Sequence, residues 1–332
     1  MTTASRRSAA AAAPAGDGAP ADKPTSKTSR AARRLAGELA RSHFGEKAKR
    51  VVERGGGLTN SVFEIKVSQG EFVVRTHEKP TKINDYLKEQ WAMDAARAVG
   101  VPTPRVLEVG NAGNGRPYMI SQSVPGIEGR AARQRLEVVE SLGRAAALLH
   151  KVPTRGFGPV FDWSSNTLSR HESWPQWLAD GFGIERRVAI LLKHRMIDAG
   201  RARRLRRRAA EMSRWRKRPV LQHGDLRLKN AIVDPASGRL VALLDWDNCI
   251  SSPPPYWDLS LALHDLGIDE KEAFLAGYGM KPRAFAAVLP YLRVFNVLNY
   301  AHHVESAVRK NRPDRLERYR LRLQGGLDLY EV

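Results

Sequence analysis

The chain has 332 residues, 42% apolar and 27% charged, enough for a real core and, at about 150 residues per domain, for two domains or lobes. Nothing approaches the run of about 18 apolar residues that marks a membrane span, and the single cysteine, Cys249, excludes an internal disulfide or a cysteine-based zinc site and points to a reducing, cytoplasmic setting. Fifty-five Lys and Arg stand against 35 Asp and Glu, a net charge of +20, so nucleic acid has to be weighed as a partner.

That charge is unevenly spread. Residues 1–34 carry a net +5 and residues 193–218 a net +10, which leaves the rest of the chain only mildly basic. Residues 1–30 are rich in Ala, Pro, Gly, Ser and Thr and hold almost no large apolar side chain, so they read as a disordered basic tail. Arg6-Arg7 precede an alanine run without Leu, Ile, Val or Phe, broken by Pro14. A signal peptide is not expected.

A helix is predicted over 31–44, followed by Gly55-Gly56-Gly57-Leu58-Thr59-Asn60. Two alternating runs, 61–67 and 71–76, flank Ser68-Gln69-Gly70 and predict a hairpin. A helix over 84–99 stops at Gly100 before Pro102 and Pro104, and strands are predicted at 107–109 and 117–124. Residues 31–124 thus form a small mixed lobe, and Pro125-Gly126 break the chain. Residues 125–332 are predicted mostly helical, near 131–150, 173–198, 200–214, 258–266, 270–278 and 283–330, the last interrupted around Pro313. Between them 219–246 reads as strand, loop and hairpin. The fold class is α+β and bilobal: a small β-sheet lobe with one main helix, then a larger helical lobe.

The chemistry concentrates in Leu221-Gln222-His223-Gly224-Asp225-Leu226-Arg227-Leu228-Lys229-Asn230 and in Leu243-Leu244-Asp245-Trp246-Asp247. The apolar arms between them turn at Asp234-Pro235-Ala236-Ser237-Gly238, so a hairpin brings Asn230 and Asp245 together at its open end. An amide oxygen beside a carboxylate suits Mg²⁺, with phosphates and water completing its octahedron. Asp225, five residues before Asn230, can face the same cleft and accept the proton of a hydroxyl aimed at a terminal phosphate.

These motifs resemble the aminoglycoside phosphotransferase and choline kinase-like superfamily, which has a protein-kinase-like fold. The resemblance runs over about residues 35–270. It takes in the triglycine loop with Asn60, the strand Phe72-Val73-Val74-Arg75, Val101-Pro102-Thr103-Pro104, Leu148-Leu149-His150 and Asp258-Leu259. It implies Asp225 as catalytic base, Asn230 and Asp245 as Mg²⁺ ligands, a loop including Gly56 and Asn60 closing over the phosphates, and the backbone from Gln122 to Val124 against adenine. It further implies ATP as cofactor, with GTP as the alternative. Where relatives often carry a lysine this chain has Arg75, with Glu89 as its candidate partner; arginine keeps the charge and can pair bidentately.

Several residues take plainer readings. His223 braces the loop, Asp247 supplements the site, Asp258 braces or caps the helix that follows, and Cys249 packs. The run Arg201, Arg203, Arg204, Arg206, Arg207 and Arg208 reads as a solvated helix face, because no aromatic stacking platform accompanies it. Nucleic acid is therefore not the expected partner; a small molecule bearing a hydroxyl is. The resemblance puts an aminoglycoside such as hygromycin first, as in antibiotic-resistance kinases. Such polycations are repelled at long range by a +20 chain, and only a local pocket drawn from Asp162, Asp180, Glu185, Asp265, Asp269 or Glu270 would offset that. A macrolide, a sugar or an amino alcohol is the alternative acceptor. A non-catalytic basic binding module is the reading from another class, and the intact Asp225, Asn230 and Asp245 set argues against it. The sequence carries no reading of oligomeric state.

Overall fold

A computed structural model describes residues 27–54, 61–160, 162, 171 and 173–328. Its first part is built on a five-stranded antiparallel sheet of β1 (Arg50–Arg54), β2 (Ser61–Val67), β3 (Gly70–Thr76), β4 (Val106–Asn111) and β5 (Pro117–Gln122), ordered β1-β2-β3-β5-β4. The β2–β3 hairpin pairs Ser61 with Thr76 through to Val67 with Gly70, around the predicted turn. β1 was not among the predicted strands: Arg-Val-Val-Glu-Arg is too short a pattern to stand out, and its register comes from pairing with β2.

Alternation along the strands gives the sheet two apolar faces. Phe63, Ile65, Val74, Tyr118 and Ile120 meet Ala32, Leu35, Ala36, Leu39 and Ala40 of α1 (Lys27–Phe44). Met119 points to the opposite face, where it joins Tyr86, Ala92, Met93 and Ala96 of α2 (Lys82–Ala98) in a core that continues into the helical part. Gly126 carries the chain across, with φ at +140°; a Cβ there would lie 2.7 Å from the Val233 carbonyl oxygen, closer than any real side chain tolerates.

The helical part contains α3 (Arg135–Leu149), α4 (Trp174–Gln176) continuing as a π-helical turn to Phe182, α5 (Ile184–Lys193), α6 (Ala199–Ser213), α7 (Tyr256–Ala262), α8 (Ile268–Tyr278), α9 (Pro282–Arg309) and α10 (Pro313–Asp328). The single helix predicted over 173–198 is thus divided: Gly183, at φ +71°, takes the left-handed conformation that ends one segment and starts the next. α6 buries Ala202, Leu205, Ala209 and Met212 and turns Arg203, Arg204, Arg206 and Arg207 to solvent. Two small sheets complete the fold, β7 (Val220–Gln222) with β10 (Ile250–Ser252), and β6 (Ile127–Glu128) with β8 (Ala231–Val233) and β9 (Leu240–Leu243). No helix of the described residues is long and apolar enough to cross a membrane.

Candidate active site

The hairpin arithmetic is realised residue by residue. Asn230 ends a 3₁₀ turn directly before β8, Ala231 pairs with Leu243, and the Leu244 amide donates to the Asn230 carbonyl oxygen at 2.8 Å. Asp245 follows, at φ +65° and ψ +62°, a left-handed conformation that a non-glycine residue adopts at a cost. It turns the chain off the strand into the 3₁₀ turn Trp246–Asn248, pinned by the buried Trp246 indole, whose Nε1 donates to the Leu243 carbonyl oxygen at 2.8 Å.

The loop bearing Asp225 lies tight against that turn. Gly224 has φ +82°, and a Cβ there would sit 1.8 Å from the Asn248 carbonyl oxygen. Only glycine fits. The loop hangs from Asp258, a fully buried carboxylate that accepts the amides of His223 and Gly224, both at 2.8 Å. His150 Nε2 lies 3.2 Å from the same group. Asp258 thus braces a loop 34 residues upstream rather than capping its own helix.

His223 is fully buried and both its ring nitrogens are engaged: Nε2 donates to the Leu244 carbonyl oxygen at 2.9 Å, and Nδ1 accepts the Asp225 amide at 3.2 Å. This arrangement suits the neutral ring, and burial holds its pKa below the ordinary histidine value. In the unfolded chain the ring titrates near 6.5, so below that pH the unfolded state takes up a proton that the folded state refuses. Stability present above about 6.5 is therefore lost as pH falls. The urea midpoint is expected to drop between pH 7.5 and pH 5, and His223→Gln is expected to flatten that slope; an unchanged slope would refute the assignment.

Asp225 is the most heavily attended carboxylate of the site. Lys229 Nζ lies 2.6 Å from Oδ2 and Arg227 Nε 3.0 Å from Oδ1. Asn230 Nδ2 donates to Oδ2 at 3.1 Å and to the Asp225 main-chain oxygen at 2.8 Å. Burial alone would raise its pKa; the Lys229 hydrogen bond and the charges of Arg227 and Lys229 outweigh it and hold the group below its ordinary value. Lys229 was missed by the sequence reading, although its spacing of four from Asp225 was visible.

A cavity of about 570 Å³ collects the expected nucleotide residues Arg75, Glu89, Gln122 and Val124 with the expected base Asp225 and cation ligand Asp245, while Asn230 is buried and is not on its lining. Arg75 and Glu89 form a bidentate pair at 2.5 and 3.1 Å, with Glu89 fully buried. Burial works against the Arg75 charge, but Glu89 outweighs it and raises its pKa. The amides of Gln122 and Ser123 are engaged by the Arg105 and Glu71 carbonyl oxygens. Gly56 and Asn60, expected over the phosphates, lie outside the described residues. Lys88 Nζ donates to the Asp247 carbonyl oxygen at 2.7 Å and ties α2 to the turn after Asp245.

Asp245 opens onto this cavity, yet the protein around it and then the Asp247 carboxylate push its pKa up to about 6. Among the described residues it has no cation at ion-pair distance, although the charges of Lys229 and Arg75 act to lower its pKa, and a carboxylate beside a second one, with Asn230 across the hairpin, is a donor set that fits a hard divalent cation. No group of three His, Cys, Asp or Glu side chains able to hold a metal occurs among the described residues, so such a cation would need further oxygens from its ligand.

Comparison with known proteins covers a longer stretch of the chain. The model of the phosphotransferase enzyme family matches residues 50–291. An aminoglycoside 3'-phosphotransferase of Streptomyces fradiae is 26% identical over 194 residues, covering 54% of this chain and 67% of that protein. Among solved structures, aminoglycoside phosphotransferase APH(4)-Ia superposes with a TM-score of 0.67 at 16% identity, over 89% of this chain and 97% of its own. The GDP and kanamycin complex of APH(2")-IIia gives 0.63 at 15% identity, over 89% and 99%. These likenesses place the chain in the protein-kinase-like fold. With a family match that spans the sheet, the Asp225 loop and the Asp245 turn, the chain belongs to the phosphotransferase enzyme family.

Proposed function

We propose that the protein transfers the terminal phosphate of ATP to a hydroxyl of a small molecule, residues 31–124 serving as nucleotide lobe and 125–332 as catalytic and acceptor lobe. The single observation that carries this reading is the convergence of Asp225, Lys229, Asp245, Arg75 and Glu89 on one cavity. Asp225, ionised and fixed between Arg227, Lys229 and Asn230, orients the acceptor hydroxyl and takes its proton. Arg75, held by Glu89, steadies the nucleotide phosphates, and Lys229 stands on the nucleotide side of Asp225 to meet the transferred group. An adenine edge would meet the backbone near Val124, since the two preceding amides are engaged within the sheet. Mg²⁺ would be held by Asn230 Oδ1 and the Asp245 carboxylate and, when bound, would neutralise phosphate charge.

Relatives support a nucleotide cofactor without choosing it: an APH(4)-Ia mutant was crystallised with AMP-PNP and hygromycin B, and APH(2")-IIia with GDP and kanamycin. The test is a thermal-shift series with Mg-ATP, Mg-GTP and an oligonucleotide. At about 100-fold its Kd, a nucleotide adds about 2.7 kcal/mol to stability. Mg-ATP is expected to give this shift in the native protein and to lose it in Asp245→Asn. A shift with the oligonucleotide alone would overturn the phosphotransferase reading in favour of a basic binding module.

A further inference from the structure

Asp225 lines the nucleotide cavity, and a second pocket lies on the far side of its neighbour Arg227. Lys229 holds it from the nucleotide side, and Arg227, 3.0 Å from its other oxygen, also lines this second pocket of about 210 Å³ behind the loop. This pocket is walled by α7, the turn after it, α9 and α10, through Arg227, His264, Asp265, Asn299, Tyr300 and Arg322. If Asp225 receives the acceptor proton, as proposed above, this pocket, joined to Asp225 through Arg227, is the neighbouring space in which the far end of an acceptor can be held.

The chemistry of that space is wrong for a polycation. Within the pocket Arg227 and Arg322 share one carboxylate, Asp265, at 3.9 and 3.4 Å, while Arg227 also lies 3.0 Å from Asp225 outside it. Its histidines add no negative charge, and burial disfavours the protonated form of His264 and His303. Of the acidic residues available for a locally negative pocket, only Asp265 lines it among the described residues. Glu185 is paired with Arg206 and Glu270 with Arg135. The Asn299 Nδ2 is a buried donor without a hydrogen-bond partner on the same wall, and such a group is satisfied by a ligand oxygen. The volume also falls below the ~300–1,000 Å³ of sites that take drug-sized molecules.

We propose that the acceptor is a small hydroxylated acid whose carboxylate or phosphate ester is held by Arg227 and Arg322, not a polycationic aminoglycoside. In the reaction the acceptor oxygen forms a bond to the γ-phosphorus, the bond from that phosphorus to the β,γ-bridging oxygen breaks, ADP leaves with the electron pair, and the hydroxyl proton passes to Asp225. Each guanidinium is a planar fork of N–H donors, suited to either anion.

The test is calorimetric titration of the full chain, saturated with Mg-AMP-PNP, with four matched probes: gluconate, sorbitol 6-phosphate, sorbitol and kanamycin. At least one of the two acids is expected to bind about tenfold or more tightly than sorbitol, the better one naming the anion, with the preference shrinking at high salt. Arg322→Gln, on an exposed helix position, is expected to abolish that preference and, with a turned-over acid, to raise its KM while kcat stays within about threefold. Equal binding of acids and sorbitol, tighter binding of kanamycin, or binding of none overturns the proposal. Kanamycin phosphorylated in an Asp225-dependent manner would sink this inference and leave the phosphotransferase reading standing; failure of Mg-ATP to stabilise the protein would sink that reading itself.

Discussion

Asp225→Asn is expected to lower kcat by about 10²–10⁴-fold while leaving Mg-ATP affinity within a few-fold of the parent. The substitution preserves the side chain's shape and its contact with Asn230, so the loop keeps its course. What disappears is the anionic acceptor for the hydroxyl proton, together with the charge that Lys229 and Arg227 face at 2.6 and 3.0 Å. Because those cations hold the Asp225 pKa below its ordinary value, the carboxylate is ionised well into the acid range, and its contribution is lost only as pH falls through that lowered value. An acid limb in the native rate profile near pH 6 therefore has to come from another group. Turnover in Asp225→Asn equal to the parent, measured by ADP release against a phosphorylated acceptor, would remove the base assignment.

The second large effect is expected at a residue that touches no reacting atom. Asp258→Ala should destabilise the fold by about 3–5 kcal/mol, because it strips a buried carboxylate from the amides of His223 and Gly224 and from His150. Those amides belong to the loop that aims Asp225, so kcat should also fall at temperatures where the variant remains folded. Asp258→Asn keeps one acceptor oxygen and should lie between parent and alanine on both scales. Urea unfolding checks the first claim and kcat under native conditions the second. A stable Asp258→Ala protein with normal kcat would show that the loop is held by other contacts, chiefly the close packing of Gly224 on Asn248.

How far this site could be read from residues alone depended on how local each interaction is. Asn230 and Asp245 were legible because a hairpin converts spacing into proximity: with β8 and β9 paired, the residues flanking the open end have nowhere else to go. Gly224 and Asp225 were legible as a motif, though not the reason for the glycine, which lies in an oxygen atom of Asn248. The Arg75–Glu89 pair joins a strand to the next helix, close enough in sequence for Glu89 to be named the candidate partner, but only the docking of α2 makes the contact bidentate. The helix expected over 173–198 failed at Gly183, where apolar periodicity continues through a residue whose left-handed backbone interrupts it.

The order of elements, the sheet-then-helices division and the adjacency of Asn230 and Asp245 at the open end of the β8–β9 hairpin were all written in the chain, because each rests on contacts between near neighbours or on backbone demands that one residue type satisfies. The anchoring of the Asp225 loop by Asp258 and the charge of the pocket behind it were decided only by tertiary packing. They join residues from 34 to about 100 positions apart, and which of many arginines and acids meet there depends on how α7, α9 and α10 settle around a common core, a choice no local pattern encodes.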